Sequence, residues 1–333
     1  MHHMTHAAIT GVGAYLPEHV LTNDDLAGMV DTTDEWIVTR TGIRERRIVA
    51  EGQSTSDLAV EAGRAALADA GVEPHDIDLL VVGTGSPDHI MPSTAALTQD
   101  RLGLACGAVD IMAACTSFIA ALHHATCVIE AGRARKVLVI GADALTRHID
   151  FNDRRTCVLF GDGAGAVVLE ASDEPGVMGI DLGSDGSGVD VLIVPAGGAA
   201  APCTPERVAN GEHRLRMSGG EVFKFAVRMI PETTRRALEA SGLSADDLTW
   251  LVPHQANQRI LDAVPARLGI APERVFSNVA MLGNTSAASI PLALHDMYTG
   301  DHLQPGDVLA LVGFGAGLTW GAAVVRWTKG PNE

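Results

Sequence analysis

A chain of 333 residues is long enough for two domains or one large duplicated one, and its 47% hydrophobic content suits a packed enzyme and excludes disorder. Forty-one acidic residues against 24 basic ones give a formal charge of −17, which excludes broad nucleic-acid binding because phosphate contacts need a basic face. The longest apolar runs fall short of the roughly 18–20 residues that cross a bilayer, and five cysteines without paired spacing point to reduced thiols in a cytoplasm.

Aromatics make up only 4% of the chain and glycine numbers 36, so the interior is expected to pack Ala, Val, Leu and Gly closely. The leading "MHHM" reads as a tag remnant without fold information, and no signal peptide precedes the first strand-like run, "AAITGVGAYL". Next, "RAALADAGVEPHDIDLLVV" reads as an amphipathic helix, a glycine stop, an acidic turn and a buried strand. The same pattern returns as "RRALEASGLSADDLTWLVP", pairing Leu67 with Leu238, Gly71 with Gly242, Asp76 with Asp247 and Val81 with Val252 at one offset of 171. "DRLGLACGAVD" likewise resembles "ARLGIAPERVF", and "RKVLVIGADALT" resembles "GDVLALVGFGAGLT". Three matches in register predict an internal duplication of an α/β unit. The boundary falls near "ASDEPG", dividing residues 1–171 from 172–333. After it, the Gly/Ala/Pro-rich stretch around 195–216 is expected to be a long surface excursion, either functional or a tolerated insertion.

Cys115 stands where "AVDIMAA", a strand, gives way to "TSFIAALHHATCVIEAG", a helix with Phe118, Leu122, Ala125 and Ile129 on one face. Free N–H groups at a helix start favour negative charge, which lowers a thiol pKa and leaves donors for an oxyanion. A buried structural cysteine fits the same position. Of the others, Cys127 falls inside the helix, Cys106 in a turn and Cys203 in the excursion, while Cys157 is expected to enter a strand, "TCVLF". His254 follows a buried strand in "WLVPHQANQRIL", at the carboxyl end where open α/β sheets place ligands, and is either a structural group or a catalyst. Asn284, in "VAMLGNTSAAS", is either a helix cap or a neutral donor to a developing oxyanion. "FGDGAGAVVLE" and "GFGAGLTWGAAVV" run into strands and so read as hairpin turns, not dinucleotide loops; the second brings bare N–H groups of Gly315 or Ala316 toward a reacting carbonyl. His123 and Cys127, four apart on one helix face, are a weak metal pair.

On "DEWIVTRTGIRERR", "FGDGAGAVVLE", "VPHQANQRI", "GNTSAAS" and "GFGAGLTWGA", with Cys115, His254 and Asn284 in that order, the chain resembles the 3-oxoacyl-[acyl-carrier-protein] synthase III family of the thiolase-fold superfamily. The resemblance implies a duplicated α/β fold layered α-β-α-β-α and a decarboxylating condensation of an acyl-CoA primer with malonyl-[acyl-carrier protein]. It implies no cofactor, no metal, no membrane and a homodimer. Cys115 would be the acylated nucleophile, His254 and Asn284 would complete the triad, and the backbone of Cys115 with Gly315 or Ala316 would hold the oxyanion. Trp36, Arg40 and Arg154 match contacts to coenzyme A, and Phe223 and Asn257 match the pantetheine tunnel. Lys224, Arg228 and Arg259 would form a local basic patch for the acidic carrier protein. Two departures bear on the primer: Thr116–Ser117 follows the cysteine in place of a smaller pair, and Met91 stands where some members carry a Phe that closes the acyl pocket across the dimer. They leave room for a starter-unit enzyme or acyltransferase of secondary metabolism. A non-catalytic carrier-binding subunit is the reading from a different class. Papain-like hydrolases lack the duplication, and a thiolase would need a second catalytic cysteine in the C-terminal half, which holds only Cys203.

Overall fold

The computed structural model describes residues 5–330, so the leading "MHHM" lies outside it. Two sheets organise the chain. The first uses strands β1 (His6–Tyr15), β2 (Leu79–Gly83), β3 (Gly107–Ile111), β4 (Lys136–Asp143) and β5 (Gly163–Ser172), in the spatial order β1-β5-β4-β2-β3. The second uses β6 (Val177–Ser184), β7 (Trp250–Pro253), β8 (Val308–Gly315) and β9 (Thr319–Arg326), in the order β7-β8-β9-β6. In both, two parallel strands (β2 and β4; β7 and β8) continue into antiparallel ones (β5; β9). A parallel bridge from Leu251 to Val275 stands where β3 pairs with β2 in the first sheet.

Four helices complete the layers: α1 (Thr55–Ala70), α2 (Ser117–Glu130), α3 (Gly219–Ala240) and α4 (Ser289–Thr299). Apolar spacing decides which face each buries. Phe118, Leu122, Ala125 and Ile129 of α2, with Ile290, Leu294 and Met297 of α4, share one core with Val81, Val139 and Val167 of the first sheet and Val252, Leu311 and Val325 of the second. The two central helices therefore bury apolar side chains against both sheets, while His123, His124 and Glu130 of α2 stay exposed. On the outer faces, Leu58, Ala62, Ala66 and Leu67 of α1 pack on the first sheet, and Ala226, Ile230, Ala237 and Leu238 of α3 pack on the second. The expected α-β-α-β-α layering and duplication are both present. Gly71 and Gly242, paired in the sequence repeat, end α1 and follow α3 with φ of 63° and 70°, left-handed values that cost glycine nothing.

Two local expectations fail. Thr156 and Cys157, the start of the expected "TCVLF" strand, end a helical turn, Arg154–Cys157, capped by Asp153, which accepts the Arg155 N–H; the strand begins only at Gly163. "FGDGAG" is likewise no hairpin: β4 and β5 are joined by the whole of 144–162, while "GFGAGLT" does form the tight β8–β9 hairpin. The excursion carries one short helix, Pro205–Ala209, and its flanks pair as Leu192–Ile193 with Arg216–Met217. No helix among the described residues is long and apolar enough to cross a membrane.

Candidate active site

Cys115 lies in a 3-10 turn, Ala114–Thr116, that runs into α2. The thiol is nearly buried, and Ser286 Oγ donates to its Sγ at 3.4 Å. Burial pushes the thiol up to about 12; the Asp143 carboxylate pushes the same way, while Ser286 and the Cys115 N–H pull down. The expectation of a lowered thiol pKa is thus not met, because desolvation outweighs the donors at the helix start.

His254 follows β7 and is anchored by its backbone N–H, which donates to Val312 O at 2.7 Å. Its Nδ1 lies 2.6 Å from Ser289 Oγ, and that oxygen also accepts the Gln255 N–H at 3.4 Å. Among the described residues Nδ1 is the one acceptor within reach of the Ser289 hydroxyl. The hydroxyl therefore donates to Nδ1, and the ring proton sits on Nε2. Burial holds the imidazole pKa down at about 3, so it is neutral at working pH. Phe314 packs edge-on at a centroid distance of 5.1 Å and fixes the ring plane.

Asn284 is placed by two backbone bonds, its N–H to Leu159 O at 2.8 Å and its C=O from Gly161 N at 3.0 Å. Its Oδ1 accepts the Ser286 N–H at 2.9 Å, which assigns the amide orientation and leaves Nδ2 without an acceptor among the described residues. The helix cap expected at Asn284 is not there, since Thr285 holds the N-cap position without a side-chain bond; Asn284 instead braces the turn through the Ser286 N–H two residues on, which frees a donor.

These three side chains line one cavity of about 660 Å³, together with Gly315 and Phe314. The Gly315 backbone lies against Cys115: a Cβ built on it would stand 2.8 Å from Cys115 N. Ala316 is half-buried beside it and is not part of the cavity lining. The same cavity reaches Trp36, Arg40, Arg154, Phe223, Lys224, Asn257 and Arg259. At the mouth the Trp36 ring has two guanidinium carbons near its face, Arg40 at 4.6 Å and Arg154 at 4.7 Å from its centroid. Asn257 caps the Gln258–Ala263 helix through Oδ1 and donates from Nδ2 to Arg40 O, so both ends of its amide are engaged. Arg259 lies over Phe223 at 5.8 Å, and Lys224 pairs with Glu221.

Besides Ala316, two candidates lie outside the cavity. Arg228 is exposed on α3, and Met91 is 80% exposed in the loop between β2 and the Thr94–Leu102 helix. His123 and Cys127 approach within 3.8 Å, but no further His, Cys, Asp or Glu among the described residues completes a metal site. A larger groove of about 770 Å³, bordered by Asp57, Glu61 and Arg101, holds none of the candidates. Sequence reasoning missed Ser286, Ser289, Arg155 and Phe314, and missed that Leu192 and Met217 bring the excursion's flanks into the cavity wall. A signal for Ser286 was available: "SAAS" at 286–289 repeats the setting of "ACTS" at 114–117 at an offset of 172, which puts Ser286 on the turn matched to the one that carries Cys115.

Family models for 3-oxoacyl-[acyl-carrier-protein] synthase III match residues 109–186, and those for its C-terminal part match 238–327. The chain is 50% identical over 326 residues to a beta-ketoacyl-[acyl-carrier-protein] synthase III of Roseiflexus castenholzii, covering 97% of this chain and 99% of that one. Among solved structures, 3-oxoacyl-(acyl carrier protein) synthase III from Pseudomonas aeruginosa PAO1 superimposes with a TM-score of 0.90 at 45% identity, over 98% of this chain and 100% of that one. The priming beta-ketosynthase of the R1128 polyketide biosynthetic pathway gives 0.91 at 37% identity, over 98% and 97%. A duplicated five-layer fold, a thiol, an imidazole and a carboxamide in one cavity, and half-identity along nearly the full length agree: the chain belongs to the 3-oxoacyl-[acyl-carrier-protein] synthase III family.

Proposed function

We propose that this protein is an acyltransferase that condenses an acyl-CoA primer with malonyl-[acyl-carrier protein] through an acyl-cysteine, giving a 3-oxoacyl-[acyl-carrier protein] at the start of fatty-acid synthesis. The observation that carries the reading is the sharing of one cavity by Cys115, His254 and Asn284, with two neutral N–H donors set beside a sulfur nucleophile.

Coenzyme A enters with its adenine and phosphate end at Trp36, Arg40 and Arg154, and its pantetheine arm runs past Phe223 and Asn257. The Cys115 sulfur attacks the thioester carbon while the backbone N–H groups of Cys115 and of Gly315 or Ala316 hold the oxyanion. Collapse breaks the carbon–sulfur bond to coenzyme A, and the cysteine's proton ends on the departing coenzyme A sulfur. Malonyl carrier protein then loses CO2, and the electron pair of the broken carbon–carbon bond becomes an enolate. Its oxygen sits between His254 Nε2–H and Asn284 Nδ2–H. Both donors are uncharged, so neither needs a proton delivered before it can act. The enolate carbon attacks the acyl carbonyl, and the cysteine sulfur leaves.

The same reading assigns residues 1–171 to a half carrying the nucleophile and 172–333 to a half carrying His254 and Asn284; the first sheet ending at Ser172 supports this. It places the protein in the cytoplasm as a homodimer. Support for the dimer comes from β3, an edge strand that exposes its own Val109 and has exposed Ile90, Met91 and Met112 in the segments around it. Met91 then reaches a partner's acyl pocket, and Lys224, Arg228 and Arg259 receive the carrier. A second reading, starter-unit synthesis in secondary metabolism, is favoured by the likeness to the R1128 priming ketosynthase.

Intact-mass measurement after exposure to a panel of acyl-CoAs tests the reading. Wild type should gain one acyl group, Cys115→Ser none, and malonyl carrier protein should then discharge the acyl-enzyme with release of CO2. A mass unchanged by every acyl-CoA contradicts it. Transfer to a small alcohol or amine without CO2 release would identify a non-condensing acyltransferase.

A further inference from the structure

Ser286 has no task in the chemistry above, yet it touches the reacting sulfur. Its hydroxyl donates to Cys115 Sγ at 3.4 Å, and both residues are buried. The turns Ala114–Thr116 and Ser286–Ala288 match at an offset of 172: each opens on a residue in the left-handed region, Ala114 at 49° and Ser286 at 51°, each runs into a helix three residues later, and the two pack together, which sets the first residue of the second turn against the middle residue of the first.

The serine is held in place against a backbone penalty. Its φ is 51°, in the left-handed region that disfavours a side chain. Its N–H is fixed by Asn284 Oδ1 at 2.9 Å, and the next N–H, of Ala287, is fixed by Asp143 Oδ2 at 2.9 Å. Asp143 is fully buried, and its other oxygen accepts from Thr84 Oγ1, Gly85 N and Ser86 Oγ at 2.7–3.0 Å. A carboxamide on one side and a carboxylate on the other thus clamp the turn that aims the hydroxyl at the sulfur.

We propose that the Ser286 hydroxyl is a catalytic hydrogen-bond donor to the Cys115 sulfur, stabilising the thiolate as it attacks the thioester and again as it leaves in the condensation. Ser286 keeps its own proton throughout: it solvates the sulfur and is not a base. This rests on the reading of Cys115 as the nucleophile. The surroundings make such a donor valuable. Burial and the Asp143 carboxylate both oppose a thiolate, and the Ser286 hydroxyl is the largest influence in the other direction. The remaining ionisable groups of the cavity are His254, which is neutral, and Arg40, Arg154, Arg155, Lys224 and Arg259.

The test is the pH profile of Cys115 alkylation by iodoacetamide, followed by intact mass for wild type, Ser286→Ala and Ser286→Gly. The glycine variant removes the hydroxyl and relieves the backbone, since glycine adopts this φ freely. In both variants the apparent thiol pKa should rise by about one unit, slowing alkylation near pH 8 by about tenfold. Malonyl decarboxylation by protein already alkylated should match wild type, because His254 and Asn284 remain. Coincident alkylation profiles overturn the proposal. So does a parallel loss of decarboxylation, which would make Ser286 only a support for Asn284. A wild type that fails to alkylate at Cys115 would instead overturn the nucleophile reading.

Discussion

Gly315→Ala probes the proposed oxyanion site without replacing any candidate side chain. A Cβ at 315 would meet Cys115 N at 2.8 Å and Cys115 Cβ at 3.1 Å, against 3.4 Å for ordinary contact. Both atoms belong to a packed turn and have no flexible end that could yield, so the two segments must part by about 0.6 Å at the closer contact. An oxyanion bond of about 2.9 Å stretched by that amount reaches the limit of useful hydrogen-bond length. Losing one such donor costs on the order of 3 kcal/mol, or 10²–10³ in rate. Gly313→Ala is the control: its Cβ would come no nearer than 3.3 Å, to Thr116 Cα, with Cys115 O and Thr116 Cγ2 at 3.5 Å, which calls for a small adjustment. Rapid-quench intact mass with a saturating acyl-CoA should show acylation slowed by roughly 100-fold in Gly315→Ala and by only a few fold in Gly313→Ala. Alkylation by iodoacetamide, a displacement that forms no oxyanion, should fall far less than acylation. Acylation within threefold of wild type in a folded Gly315→Ala protein would refute the reasoning.

Trp36→Ala should raise the acyl-CoA concentration at half-saturation about tenfold through lost stacking and cation–π contacts, with the saturated acylation rate unchanged; equal effects on both parameters would place Trp36 elsewhere in the cycle. Because burial holds His254 at about 3, decarboxylation by alkylated enzyme should run flat from about pH 5 to about pH 8, and a break near the ordinary histidine value would contradict the neutral donor. Asp162 accepts from Val49 N, Thr146 N and Thr146 Oγ1 while burial pushes its carboxyl up to about 6. A carboxyl raised above 3.8 keeps a proton in the folded state between 3.8 and about 6, so its contribution to stability falls as pH rises through that window, by up to about 3 kcal/mol. Asp162→Asn turns an amide nitrogen toward one of those donors and should destabilise, with the deficit larger near pH 5 than near pH 8 in denaturant melts; the opposite trend would contradict the sign.

Much of the fold was legible because the core positions recur at one spacing. Leu67 and Leu238, or Val81 and Val252, occupy matched buried places on α1 and α3 and on β2 and β7. The elbow at Cys115 was readable for a local reason, an apolar strand ending a few residues before a helix with one apolar face. What failed was non-local. Cys157 looks like a strand residue by its neighbours, but Asp153 caps a turn there, and the fully buried Arg46 takes the Val158 carbonyl at 2.8 Å from 112 residues away. The direction of the thiol's pKa was equally hidden. Helix-start donors can be read from a sequence, whereas the burial that outweighs them depends on β8 and the Ser286 turn closing over the sulfur. Ser289, which sets the His254 tautomer, reads in the sequence only as one small residue among several.

The central claim is a division of labour, with sulfur forming the acyl-enzyme and the two neutral donors stabilising the enolate. It is tested most directly by measuring acyl-enzyme mass and malonyl-dependent CO2 release side by side in Cys115→Ser, His254→Ala and Asn284→Ala. The account predicts no acylation in the first, and full acylation with decarboxylation lost by at least about 100-fold in the other two. Equal loss of acylation in all three would contradict it.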